Sequence, residues 1–150
     1  MNAIITPSCL NGEISAISSK SVAHRLLICA AFCDKKTLVK CENINKDISA
    51  TVDCLRSIGA EIDYTDETFS IIPFNNNKKS QYLNCNESGS TLRFLLPIAA
   101  ALGGDWHFLM KGRLAQRPLS PLKEELEGQE SDSSDKIEFR YIYSLNGIEN

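Results

Sequence analysis

The sequence predicts a mixed α/β fold, with strands and helices alternating along the chain. Three observations carry that expectation. Apolar residues recur at helical spacing in three long segments, short β-like runs lie between them, and glycines or polar clusters mark the joins. The 150 residues, 43% hydrophobic and 23% charged, suffice for one domain with a real core, or for a piece of something larger.

Short β-like runs open the chain at residues 3–6 and 12–16. A helix is predicted over 19–33, where Val22, Leu26, Leu27, Ala30 and Ala31 share helical spacing. Residues 37–41 read as a strand. Asp47 is the expected N-cap of a second helix, in which Ile48, Val52, Leu55 and Ile58 repeat correctly before Gly59 stops it. Strands at 61–64 and 69–73 follow, joined by a turn at 65–67, and 75–80 is a polar loop. The pattern then restarts.

A short strand near 82–83 leads into a third helix over 88–102, apolar almost all round and ended by Gly103-Gly104. A helix of that kind is expected to be buried, and Pro97 predicts a kink near Phe94. Residues 105–110 form a strand, and Ser120-Pro121 reads as the N-cap and first residue of a fourth helix reaching about residue 127. Setting Arg25-Leu26-Leu27-Ile28 over Arg93-Phe94-Leu95-Leu96 points to an internal repeat of strand–helix–strand units. Residues 128–135 (GQESDSSD) read as a polar loop, and 136–144 alternate like a strand.

Net charge and cysteine usage narrow the function. A charge of −3 argues against nucleic acid, which usually requires a basic face. No apolar run approaches membrane-spanning length, and Met1-Asn2-Ala3-Ile4 lacks a signal-peptide pattern, so the cytoplasm is the expected location. Six cysteines (Cys9, Cys29, Cys33, Cys41, Cys54, Cys85) include no Cys-x-x-Cys, and neither His24 nor His107 sits at metal-finger spacing from them. Buried, reduced thiols are the expected reading, with Cys29, Cys33 and Cys54 inside apolar helical patterns.

Local basic clusters in this mildly acidic chain point to a pocket for small anions. Lys20-Ser21-Val22-Ala23-His24-Arg25 and Glu87-Ser88-Gly89-Ser90-Thr91-Leu92-Arg93 each open an apolar helical segment. Free backbone N–H groups and the helix dipole favour anions there. A third cluster, Arg113-Leu114-Ala115-Gln116-Arg117-Pro118, adds two cations. Blander readings stand beside these: Ser19 and Ser21 as simple caps, Gly89 as a turn residue, and Arg25 and Arg93 as solvated or paired charges. Lys20 is the sharper pointer, because the dipole disfavours a cation at a helix start.

Together, Lys-Ser-x-x-His-Arg at 20–25, Glu-Ser-Gly-Ser-Thr-x-Arg at 87–93 and Arg-x-x-x-Arg-Pro at 113–118 resemble the N-terminal part of the 5-enolpyruvylshikimate-3-phosphate synthase family. The likeness runs from residue 1 to about 126. It implies transfer of the enolpyruvyl group of phosphoenolpyruvate to the 5-hydroxyl of shikimate 3-phosphate, a shikimate-pathway step toward chorismate and the aromatic amino acids. The implied fold is an inside-out α/β barrel of repeated βαβαββ units. Residues 1–18 would belong to a discontinuous first domain, 19–127 to part of the second, and 128–150 to a divergent tail.

The resemblance also implies roles. Lys20 would be catalytic, lying between both substrates; Ser21 and Arg25 would hold shikimate 3-phosphate; Gly89 and Arg117 would receive phosphoenolpyruvate. Asp47 would be an acidic, structural position near the cleft, with Arg93 and Arg113 as supporting charges. No metal or organic cofactor is implied, since general acid–base chemistry and electrostatic stabilisation can do the work. The related transferase acting on UDP-N-acetylglucosamine fits less well: Ser21 stands where that enzyme has Asn, and residues 111–116 contain no cysteine.

By domain-size arithmetic the chain has about a third of the length this two-domain family needs. The family's catalytic Asp and Glu would fall in a further C-terminal portion. A fragment with half an anion site and little turnover is therefore expected, as a truncation or a shifted reading frame would produce. The alternative is a non-catalytic anion-binding module that associates with a complementary C-terminal fragment.

Overall fold

The computed structural model describes residues 4, 9, 11–14, 16–75, 82–103, 106–127 and 140–142. Among the described residues the first element is helix α1 (Lys20–Ala31), followed by β1 (Thr37–Lys40), α2 (Lys46–Ile58), β2 (Glu61–Thr65) and β3 (Thr68–Ile72). A second group consists of β4 (Tyr82–Asn86), α3 (Gly89–Leu102), β5 (His107–Met110), a 3-10 turn at Leu114–Gln116, α4 (Leu122–Glu127) and β6 (Arg140–Ile142). The order α-β-α-β-β, then β-α-β-α-β, suits the repeated unit that the motifs imply.

The two groups build two three-stranded sheets. The first has order β1-β3-β2 and is antiparallel; the second has order β4-β5-β6 and is parallel, so α3 is the crossover of a βαβ unit. Asp66 and Glu67 close the β2–β3 hairpin with φ of 48° and 57°, the left-handed pair that a two-residue turn between twisted strands requires.

Helices α1, α2 and α3 turn their apolar stripes into one core containing Leu27, Ile48, Leu55, Phe69, Leu83 and Leu95. Among the described residues no helix is long and apolar enough to cross a membrane. Nor does any group of three His, Cys, Asp or Glu residues there suit a metal ion.

Several expectations need correction. The strand predicted over 12–16 does not form at residues 12–14 or 16, with Ile14 95% exposed; residue 15 and most of 3–6 lie outside the described residues. A lone extended run without a partner ladder has no reason to be a strand. Asn45, not Asp47, caps α2: its Oδ1 accepts from the N–H groups of Asp47 and Ile48 at 3.0 Å each. Both residue types cap well, and the one farther upstream takes the role.

Helix α3 is one-sided rather than buried all round. Thr91, Leu92, Leu95, Leu96 and Ala99 are buried, while Phe94, Pro97 and Ile98 are half-buried. The helix continues through Pro97. Pro121 precedes α4 and accepts from Glu125 N at 3.1 Å, so it holds the cap position and not the first helical one, and its bond to Ser120 is cis.

Cys41, Cys54 and Cys85 are buried free thiols, whereas Cys9 and Cys29 are exposed and Cys33 is half-buried. Cys29 falls on the side of α1 turned away from the core, beside Leu26 and Val22, which are 48% and 52% exposed. Residues 128–135 lie outside the described residues, and of 136–144 only 140–142 are described, as β6.

Candidate anion site at three helix starts

Two of the motifs open α1 and α3, and Asp47 stands in the first turn of α2. Ser19 caps α1, accepting from Val22 N at 3.5 Å, which places Lys20 at the first helical position. The dipole opposes a cation there, and a carboxylate from the next helix compensates: Lys20 Nζ donates to Asp47 Oδ2 at 2.5 Å. Asp47 stands in the first turn of α2, where its charge is favoured. The two side chains are 46% and 30% exposed, so the pair contributes little to stability and leaves the ammonium reachable.

Ser21 and Arg25 lie one turn apart and are both exposed. Arg25 Nη1 donates to the Ser21 carbonyl at 2.9 Å, and its Cζ sits 5.1 Å from the centre of the Phe94 ring. The guanidinium is thereby held between α1 and α3.

At the start of α3, Ser88 Oγ accepts from Thr91 N at 3.2 Å, leaving the N–H groups of Gly89 and Ser90 without an intrahelical acceptor. Two guanidinium groups crowd the same spot. A Cβ on Gly89 would lie 2.6 Å from Arg93 Nη1 and 3.2 Å from Arg117 Nη1. Arg93 is braced by hydrogen bonds to the carbonyls of Gly89 (3.2 Å) and Pro118 (3.0 Å). Orphan N–H groups, a helix dipole and two planar cations converge on a backbone with no side chain.

The 3-10 turn after β5 delivers Arg117 to this position. Arg113 caps that turn and is exposed; among the described residues its guanidinium has no hydrogen-bond or ion-pair partner, and it does not join the cluster at Gly89. Lys20 and the start of α3 are linked through Asp47 and Thr91, whose Oγ1 lies 3.3 Å from the Asp47 carbonyl. A hollow of about 390 Å³ lies beside that link, lined by Asn45, Asp47, Ser49, Asn86 and Glu87 among others.

The profile of the family described as EPSP synthase (3-phosphoshikimate 1-carboxyvinyltransferase) matches residues 4–132. The chain belongs to the EPSP synthase family. The 3-phosphoshikimate 1-carboxyvinyltransferase of Clostridium botulinum strain Alaska E43 is 41% identical over 131 residues, which are 83% of this chain and 30% of that protein. The enzyme of the same name from Clostridium perfringens strain SM101 is 38% identical over 151 residues, 97% of this chain and 36% of that protein.

The chain thus spans about a third of the length of these EPSP synthase relatives. A solved structure of EPSP synthase from Acinetobacter baumannii superimposes with a TM-score of 0.68 at 23% identity, over 77% of this chain and 27% of that one. That likeness supports the EPSP synthase fold.

Sequence reasoning missed four participants. Asn45 frees Asp47 for Lys20, and Thr51 and Thr91 form buried contacts between helices. Gly112, with φ +56°, is a bed for the Glu87 side chain: an added Cβ would overlap Glu87 Oε1. A glycine after a strand in an arginine-rich segment was the available signal for the last.

Proposed function

We propose that this chain supplies the contacts to shikimate 3-phosphate and phosphoenolpyruvate in enolpyruvyl transfer, the activity its relatives are named for. The observation that carries the reading is the pair of guanidinium groups against the bare Gly89 backbone, joined through Thr91 and Asp47 to Lys20. Two polyanions can be brought together only where several charges are neutralised at once, and four cations surround these helix starts: Lys20, Arg25, Arg93 and Arg117.

In this reading Ser21 and Arg25 grip shikimate 3-phosphate, while Gly89 and Arg117 seat phosphoenolpyruvate, with Arg93 bracing. The 5-hydroxyl oxygen bonds to C2 of the enolpyruvyl group, the C–O bond to phosphate breaks, and the hydroxyl proton is released. Lys20, between the two, stabilises the developing charge and assists the proton's movement. Asp47 orients that ammonium. Residues 1–18 belong to a first domain and 19–127 to part of a second, so the chain carries half of a cleft. Turnover then needs a complementary C-terminal polypeptide.

An amide NMR titration of the chain with shikimate 3-phosphate tests the assignment. Shifts centred on Lys20, Ser21 and Arg25 are expected. A dispersed spectrum that does not respond at those residues would overturn it.

A further inference from the structure

The substrate contacts proposed above leave a buried polar chain unused. His24, Thr51, Ser88 and Thr91 are the buried polar side chains among the described residues, none more than 1% exposed. They come from α1, α2 and the start of α3. His24 Nδ1 is 2.7 Å from Thr51 Oγ1, which is 2.7 Å from Thr91 Oγ1. Thr91 Oγ1 is in turn 2.7 Å from Ser88 Oγ and 3.3 Å from the Asp47 carbonyl. His24 Nε2 is buried with no partner.

Counting protons orders this chain, because each hydroxyl has one to give. If Thr91 donates to Ser88 or to the Asp47 carbonyl, Thr51 must donate to Thr91 and accept from His24 Nδ1–H. If the order is reversed, Thr51 donates to His24 Nδ1 and the imidazole proton sits on Nε2, buried without an acceptor. A buried orphan N–H is the worse outcome. Desolvation lowers the His24 pKa, opposed by Asp47 and aided by Lys20 and Arg25, which favours the neutral ring, the form whose tautomer matters.

We infer that His24, Thr51, Ser88 and Thr91 act as a positioning relay: His24 in its Nδ1–H form and the three hydroxyls lock the first turn of α2, and with it Asp47 and Lys20, against the start of α3. The importance of this for Lys20 rests on the proposed function; the hydrogen-bond order does not. Val at position 91 keeps the shape and removes the hydroxyl, whereas Ser keeps the hydroxyl.

The test needs no ligand. Ring ¹⁵N spectra of the 150-residue chain near neutral pH should show His24 with a pyrrole-type Nδ1 and a pyridine-type Nε2. Thr91→Val should convert it to the Nε2–H form, since the Thr51 proton loses its acceptor, and should speed hydrogen exchange of the Lys20 ammonium several-fold. Thr91→Ser should restore both. An Nε2–H tautomer in the wild-type chain overturns the relay even if Thr91→Val does not fold. Unchanged Lys20 exchange in a folded Thr91→Val variant overturns the positioning role. Failure to bind shikimate 3-phosphate in the wild type would instead count against the proposed function alone.

Discussion

Replacing Gly89 with Ala separates the fold from the site. The new Cβ would stand 2.6 Å from Arg93 Nη1, 3.2 Å from Arg117 Nη1 and 3.7 Å from Leu114 Cδ1. The two closest atoms are the far ends of flexible side chains, so the backbone need not move. Gly89 is the first residue of α3, where Ala is the better helix former. Stability should therefore hold or rise slightly.

The cost of Gly89→Ala falls on the guanidinium groups. Arg93 must shift away, which strains its 3.2 Å bond to the Gly89 carbonyl, and Arg117 must give by a few tenths of an ångström. Losing one charge-assisted contact to an anion costs about 1.5–3 kcal/mol, roughly a ten- to hundredfold rise in the phosphoenolpyruvate Kd. Calorimetric titration with phosphoenolpyruvate in the presence of shikimate 3-phosphate, paired with a thermal melt, measures both. Unchanged affinity with an unchanged melt would refute Gly89 and Arg117 as the phosphoenolpyruvate seat. A large loss of Tm would refute the claim that the side chains yield.

Other outcomes follow from the same geometry. Lys20→Met should abolish the response of Ser21 and Arg25 to shikimate 3-phosphate in amide spectra, yet change unfolding free energy by less than about 1 kcal/mol, because its ion pair is partly solvated. Burial lowers the His24 pKa below 6.5, so the unfolded chain takes up that proton first. Stability is then full above the ordinary value and falls as pH drops below it toward the folded value; urea midpoints should show this decline, flattened in His24→Asn. In Cys54, the hydrogen bond with Cys85 and then burial push the thiol far up, which leaves it unreactive. A brief iodoacetamide pulse read by mass spectrometry should modify Cys9 and Cys29 and spare Cys41, Cys54 and Cys85.

Much of this fold was legible because amphipathic period is a local signal. Ile48, Val52, Leu55 and Ile58 mark α2 without reference to anything else, and Gly59 ends it. The three motifs were legible for the same reason, as contiguous strings. What failed was competitive or long-range. Asn45 and Asp47 are both good caps two residues apart, and only the structure shows which oxygen meets the N–H groups. The exposure of Cys29 depends on which side of α1 its neighbours leave open. Thr91 lies inside a quoted motif yet shows its use only beside Thr51, forty residues earlier.

The Lys20–Asp47 and Thr51–Thr91 contacts join residues 27 and 40 positions apart, and Thr91 meets the Asp47 carbonyl across 44. Closing such loops is entropically opposed, and the Lys20–Asp47 pair and the Gly89–Arg117 approach each draw on more than one element. The proposed anion site should therefore be completed late in folding, once α1, α2 and α3 have docked. Substrate binding should then slow unfolding more than it speeds folding, so occupancy prolongs the lifetime of the folded chain.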